Sequence, residues 1–371
     1  MTEPDSLHVL MVTGKVNRRV QSLHTLEMAR GLMEVGHDVV VVCPSKESAA
    51  TGKRYQWVPL WADSALSHPV LKSLQLGTLL GRVRDWGPDI VHIQSTEAVR
   101  AGQIVRAHLG LPAVISVYGT MHLVRGLRGM AGEGVRFVAA TEAIRQELVN
   151  RGRVPKDVIR VIPSGVPERA VGPTQSWEDA RRVPVIGTFG ALERRSGHRY
   201  FLEAAHTVLE AGVDAEFLII GVGPEKHALR ELAGRLGIRS RISFCDPSPD
   251  VAEQLAAVDI FVMSSLDEAQ RPVTLEAMMQ GKPVVAFGVG TIFEAVEDNV
   301  AGLLVPKADS VRLGQAILRL VRKPDFAVRL GRRAQEVVRQ RFSLRHTLQQ
   351  IVALYSQVIR EAQRNNEDLA G

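Results

Sequence analysis

Apolar residues fall into short blocks of strand length, separated by stretches in which they recur every three or four residues. Leu7–Thr13 is such a block, ending at Gly14. Ser22–Val35 follows with helical spacing, then Gly36-His37 and a second block, Asp38–Cys43. Blocks apolar on both faces and joined by helices are the pattern of parallel strands buried in a doubly wound sheet. The alternation predicts further strands at Tyr55–Leu60, Ile90–Ile93, Val114–Val117, Phe137–Ala140 and Val158–Ile162, and helices at Leu74–Trp86, Ala98–Leu109 and Glu142–Arg151.

Periodicity fails over 167–183, where Pro167, Gly172 and Pro173 stand among polar residues, and then restarts. Strands are expected at Val183–Phe189, Glu216–Ile220, Arg241–Phe244, Ile260–Met263, Pro283–Phe287 and Leu303–Val305. Helices are expected at Tyr200–Ala211, Glu225–Leu236, Val251–Ala257, Leu275–Gln280, Val311–Leu320 and the strongly basic Phe326–Arg341. The final segment, Ser343–Gln363, puts Leu344, Leu348, Ile351, Val352, Tyr355 and Ile359 on one stripe that must bury against something. The chain therefore divides into a Rossmann-like domain at 1–170, a linker at 171–183, a second such domain at 184–342 and a helix at 343–371. Open sheets of this class bind ligands at the carboxyl ends of their strands, so a cleft between the two halves is the expected site.

Composition narrows the chemistry. At 371 residues, 45% hydrophobic and 23% charged, the chain is a globular protein and not a disordered one. Cys43 and Cys245 stand alone, without disulfide or zinc spacing, which fits a reducing compartment. The polar, acidic start lacks signal-peptide character, and no apolar run approaches the ~20 residues that cross a bilayer, so a cytoplasmic protein is expected. The net charge of +6 is spread along the chain, which suits an anionic small molecule or a membrane surface better than nucleic acid.

The most informative stretch runs from Ser264 through Glu268, Arg271-Pro272-Val273-Thr274 and Glu276 to Gly281-Lys282-Pro283-Val284-Val285. A strand ends at Met263, and a loop carries Glu268 into a helix opening near Pro272, with Glu276 one turn inside. Free amides at a helix start suit a diphosphate, while carboxylates suit sugar and ribose hydroxyls. The stretch resembles the signature of GT-B fold, family 4-like retaining glycosyltransferases, in which two glutamates have seven residues between them. The resemblance extends over nearly the whole chain, through Pro88-Asp89-Ile90-Val91-His92, Ala139–Ile144, Val161–Val166, Ile219–Pro224, Gly290–Glu294 and Ala301–Pro306. It implies an N-terminal half that binds the acceptor, a C-terminal half that binds a nucleotide-sugar, and a last helix that crosses back to the first domain.

By that resemblance Glu268 contacts the donor sugar and Glu276 the ribose of its nucleotide, with Gly190, Gly221, Gly223, Val273 and Thr274 around the donor. Two glycines after a strand are equally the mark of a plain turn. The family's usual Arg and Lys on the diphosphate read Ala191 and Ser196 here. Arg194, Arg195 and Arg271 are the nearby cations available instead, or are solvated surface arginines. On the acceptor side Gly14, Lys15, Asn17, Arg18 and Arg19 replace the usual glycine pair, which suits an anionic acceptor. Tyr118 and His122 are the candidates for a histidine that relatives carry after the strand at 114–117, and with Glu268 and Arg195 they complete the expected catalytic set. The segment 123–130 mixes apolar and cationic residues, as a peripheral contact with the inner face of a membrane and a lipid-linked acceptor would require.

The resemblance implies a retaining glycosyltransferase that moves a sugar from a nucleotide-diphosphate sugar to a hydroxyl, in glycan, glycolipid or small-glycoside synthesis. No Asp-x-Asp motif is present, so no metal and no cofactor beyond the sugar donor is expected. Ala191 and Ser196 also motivate a second reading, a binding or scaffold protein that has lost turnover. A nicotinamide-dependent oxidoreductase is a weak third, because Gly187-x-x-Gly190 is not a full dinucleotide fingerprint.

Overall fold

The computed structural model describes residues 6–16, 20–46, 55–66, 73–118, 127–168, 177, 182–248, 250–267 and 271–370; of 20–23, 65, 73–75, 128, 271 and 366–370 only the backbone is described. The chain forms two compact units, Met1–Gly165 together with Leu344–Gly371, and Val166–Ser343.

The first unit is built on β1 (His8–Val12), α1 (Val20–Glu34), β2 (Asp38–Cys43), β3 (Leu60–Ala62), α2 (Ser73–Trp86), β4 (Ile90–Ile93), α3 (Val99–Leu109), β5 (Ala113–Val117), β6 (Val135–Ala139), α4 (Glu142–Asn150) and β7 (Ile159–Val161). Its seven strands are all parallel, in the order β3-β2-β1-β4-β5-β6-β7. Val9 through Val12 and Ile90, Val91 and Ile93 are fully buried, because helices cover both faces of the central strands.

The second unit contains β8 (Val185–Phe189), α5 (His198–Glu210), β9 (Glu216–Ile220), α6 (Lys226–Arg235), β10 (Ile242–Cys245), α7 (Val251–Ala256), β11 (Ile260–Met263), α8 (Arg271–Met279), β12 (Val284–Phe287), α9 (Ile292–Ala295), β13 (Leu303–Val305), α10 (Ser310–Val321) and α11 (Pro324–Arg341). Its six parallel strands run β10-β9-β8-β11-β12-β13. Strand order reverses between β1 and β4 in one sheet and between β8 and β11 in the other. Loops leaving such neighbours in opposite directions open a crevice at their carboxyl ends.

The last helix, α12 (Leu344–Ala370), belongs to the first unit and packs on α1. Gly31 permits that close crossing, since a Cβ there would lie 2.6 Å from Leu348 Cδ1. Its buried stripe is Leu344, Leu348, Ile351, Tyr355 and Val358, with Leu354 beside it. Val352 and Ile359, placed on that stripe from sequence, are half-buried and lie at its edge.

A second departure concerns Tyr55–Leu60. Tyr55 lies outside the sheet and the strand is Leu60–Ala62. Tyr55 is buried and donates its hydroxyl to Glu27 Oε1 at 2.6 Å, whereas Trp57 is exposed. The chain meets β2 where Pro59 O accepts from Val41 N at 2.9 Å and Leu60 pairs with Val41. Most of 167–183 lies outside the described residues. Arg182 at its end pairs with the buried Asp259, which also accepts from Val185 N at 2.8 Å and so anchors the start of β8.

Candidate functional site

The crevice of the second sheet is made by the chain leaving β8, β9 and β11. Gly190 N donates to Ile220 O and Leu192 N to Val222 O, both at 2.9 Å, while Glu225 N donates back to Leu192 O. These bonds bring two loops into backbone contact. A Cβ on Gly221 would stand 1.9 Å from Gly190 O, so this glycine is demanded by loop packing itself. The third loop is fastened from the other side. Leu266 N donates to Arg195 O at 2.8 Å and Ser264 Oγ to Ser196 O at 3.2 Å.

Gly197 lies at the centre of this junction, with φ +67° and its α-carbon against the Ser264 carbonyl. It opens α5 with His198, whose side chain is 2% exposed. The imidazole lies against the Gly190 and Ala191 backbone, yet neither ring nitrogen has a well-formed hydrogen bond. Burial outweighs the pull of that backbone and lowers its pKa to about 4, so the ring is neutral at pH 7. Leaving a buried donor or acceptor unmet costs about 1–3 kcal/mol. Sequence reasoning passed over His198, because a single histidine at a helix start carries no motif.

Helix α8 supplies the polar residues beyond this platform. Thr274 is fully buried and Glu276 half-buried, both with partners in the fold. Val273 is 2% exposed and part of the core. Glu268 lies outside the described residues, as does the Arg271 side chain. The other proposed cations are on the surface: Arg194 is 94% exposed and 3.8 Å from Glu225, and Arg195 is 60% exposed, 2.9 Å from Glu193 and 3.9 Å from Asp267. Ala191 is exposed and Ser196 buried.

In the first sheet the crevice between β1 and β4 brings Gly14 and Ser95 together, with Gly14 N donating to Ser95 Oγ at 3.0 Å. Glu97, exposed and unremarked from sequence, places its Oε2 2.7 Å from where a Gly14 Cβ would be. Lys15 is exposed beside it in sequence, while Asn17, Arg18, Arg19, His122 and 119–126 as a whole lie outside the described residues.

Tyr118 turns inward, donating its hydroxyl to Gln94 Oε1 at 2.9 Å, and burial raises its pKa. It meets His24 edge-on at 4.8 Å. Behind it His92 lies between the Tyr355 hydroxyl and Ser116 Oγ, the latter at 2.7 Å. Burial lowers His24 to about 4 and His92 to about 3, so both rings are neutral. This network ties α12 to the centre of the sheet.

Among the described residues no group of three or more His, Cys, Asp or Glu is arranged to hold a metal ion. No described helix is long and apolar enough to cross a membrane. Cys43 is buried and its thiol is pushed up to about 11 by desolvation, while Cys245 is exposed.

A family model for Glycosyltransferase Family 4 matches residues 21–169, and one for Glycosyl transferases group 1 matches residues 183–323. A 2-deoxystreptamine glucosyltransferase of Streptomyces kanamyceticus is 24% identical over 310 residues, spanning 74% of this chain and 79% of that protein. A D-inositol 3-phosphate glycosyltransferase of Acidothermus cellulolyticus is 29% identical over 323 residues, spanning 82% and 69%. Among solved structures, Anabaena Alr3699/HepE in complex with UDP and glucose superposes with a TM-score of 0.80 at 18% identity, covering 95% of this chain and all of that one. TarM superposes with a TM-score of 0.75 at 12% identity, covering 94% and 98%. With both sheets matched in sequence and in fold, the chain belongs to the group 1, family 4 glycosyltransferases of GT-B fold.

Proposed function

We propose that this glycosyltransferase is a retaining enzyme that moves a sugar from a nucleotide-diphosphate sugar to a hydroxyl of its acceptor. The unit of 166–343 holds the donor and the unit containing 1–165 holds the acceptor. The observation that carries the donor assignment is the glycine-locked junction of the β8, β9 and β11 loops, at the sheet position where strand order reverses. Anabaena Alr3699/HepE, which shares this fold, was solved with UDP and with UDP-glucose, which supports a nucleotide-sugar donor. Relatives named for 2-deoxystreptamine and for D-inositol 3-phosphate support a hydroxyl-bearing acceptor.

In the proposed reaction the bond from the anomeric carbon to the diphosphate oxygen breaks. The acceptor oxygen bonds to that carbon on the same face, and the hydroxyl proton passes to the departing phosphate. Protein groups then act by positioning and by stabilising the leaving charge. No metal takes part, so turnover is expected to persist in chelator. A lipid-linked or anionic acceptor, and membrane contact through 123–130, are tested by flotation with anionic vesicles.

The deciding experiment is a donor panel with cyclitol and lipid-linked acceptors, with product configuration read by NMR coupling constants. Retained configuration, with turnover erased in Glu268→Ala, is the expected result. Inverted product overturns the retaining assignment, and tight nucleotide binding without sugar transfer overturns turnover.

A further inference from the structure

The positive charge of the chain is concentrated in one place. Between residues 310 and 341 nine lysines and arginines face two acids, a net +7 in a chain whose total is +6. These residues form α10 and α11, which pack side by side, with the Arg319 guanidinium 4.5 Å over the Phe326 ring at the joint. All nine cations are exposed. Arg312 lies 3.5 Å from Asp309, Arg333 2.8 Å from Glu336, and Arg319 donates to Asn299 Oδ1 at 2.6 Å. The side chains of Lys323, Arg329, Arg332 and Arg339 have no ion pair or hydrogen bond among the described residues.

Helix physics accounts for only part of this. Arg339 lies in the last turn of α11, where the dipole favours a cation, but Arg329 and Arg332 stand mid-helix, beyond its reach. Like charges crowded on one face repel, so an anion that covers them stabilises the face.

The shape of the face selects the partner. Helix α11 buries Ala327, Leu330, Gly331, Ala334 and Val338, and a Cβ on Gly331 would stand 2.0 Å from Gly281 O, so the helix is drawn down onto the backbone beneath it. A helix held that closely does not project into a groove about 12 Å wide, as duplex recognition requires. No exposed aromatic ring stands on α10 or α11 to stack single-stranded bases. What remains is a cationic strip about 27 Å long on α11, widened by α10, which is the complement of a plane of fixed anions. The apolar stripe of α11 is inside the fold, so contact is by adsorption and not by insertion.

We propose that the outer face of α10 and α11 docks on an anionic membrane, its arginines taking phosphate headgroups. The face belongs to the unit of 166–343, apart in sequence from 123–130, and does not depend on the nucleotide-sugar reading.

The test is flotation of the full chain with phosphatidylcholine vesicles, with and without phosphatidylglycerol, at low and high salt. Wild type is compared with Arg329→Gln/Arg332→Gln/Arg339→Gln and with Arg230→Gln/Arg235→Gln/Arg239→Gln, which removes the same charge on the approach to β10, the edge strand farthest from β13. Thermal melts confirm folding. Wild type should bind only the phosphatidylglycerol vesicles, and less at high salt. Each cation near an anionic surface contributes about fivefold to partitioning, so the first variant should bind about 100-fold more weakly, while the second falls by less than about fivefold. Absence of wild-type binding, equal binding by wild type and the folded first variant, or equal loss in both variants overturns the docking face. Binding that survives the first variant but is lost in Arg125→Gln/Arg128→Gln assigns the contact to 123–130 and also overturns it. Binding of duplex DNA or RNA that depends on the same three arginines, without vesicle binding, replaces the membrane by nucleic acid.

Discussion

Replacing Gly197 by alanine isolates the junction on which the donor assignment depends. The new Cβ would stand 1.9 Å from Ser264 O and 3.0 Å from its carbonyl carbon. Ordinary C···O contact is about 3.3 Å, so one chain must move by roughly 1.4 Å. Movement there breaks the 2.8 Å bond from Leu266 N to Arg195 O. Three costs combine: about 1 kcal/mol for a side chain at φ +67°, about 1–3 for overpacking against backbone, and about 0.5–1.5 for the lost hydrogen bond. The sum is about 2.5–5.5 kcal/mol, a fall of about 5–20 °C in Tm for a unit of this size. Gly212→Ala is the matched control, because Gly212 has φ +75° with nothing within 4 Å of its Cβ position. It should lose only the conformational part, about 2–4 °C. Calorimetric melting of both variants decides the matter. Equal shifts would refute the argument, since the two positions share their φ and differ only in the approach of Ser264.

Three further outcomes follow from the same geometry. Tyr355→Phe removes the hydroxyl that meets the buried His92 and should cost about 1–3 kcal/mol in urea unfolding, with apolar packing intact; no change would sever the link claimed between α12 and the sheet. His92 and His198, held near 3 and 4, are neutral in the folded chain but titrate near 6.5 when unfolded. The unfolded state therefore takes up protons first, and the stability present above about pH 6.5 is lost as pH falls toward 4, by up to about 1.4 kcal/mol per unit for each ring. Denaturant titrations at pH 7 and pH 5 that agree would contradict that burial. Glu276→Gln keeps the size of the side chain and removes its charge, so donor KM should rise roughly tenfold with the melt unchanged, the value of a charge-assisted hydrogen bond; an unchanged KM separates Glu276 from the donor.

How far these features were legible differs from element to element. The buried strands were plain, because a parallel strand covered on both faces must be apolar throughout: Asp38–Cys43, Glu216–Ile220 and Ile260–Met263 match in both bounds. Tyr55–Leu60 misled because its aromatic residues resemble a strand, while the Tyr55 hydroxyl is drawn to Glu27, 28 residues earlier. The stripe on α12 was right at Leu344, Leu348, Ile351 and Tyr355 and too wide at Val352 and Ile359, which are half-buried, since periodicity gives the edge of a face only to within a residue. Glu276 and the glycines stand out as candidates by spacing, whereas nothing in the local sequence of His198 or Glu97 distinguishes them.

The sequence by itself determined two alternating α/β halves, the carboxylate helix, and the departures at Ala191 and Ser196, because each is written in local pattern or in residue identity. Tertiary structure decided the rest. Gly221 is required by the Gly190 carbonyl, Gly197 by that of Ser264, and Gly31 by Leu348, contacts between residues 31 to 317 positions apart. It also decided that Tyr118 looks inward to Gln94 and that His198 is buried against the Gly190 and Ala191 backbone. Whether a side chain is free to act depends on what folding brings against it, and that neighbour is seldom near in sequence.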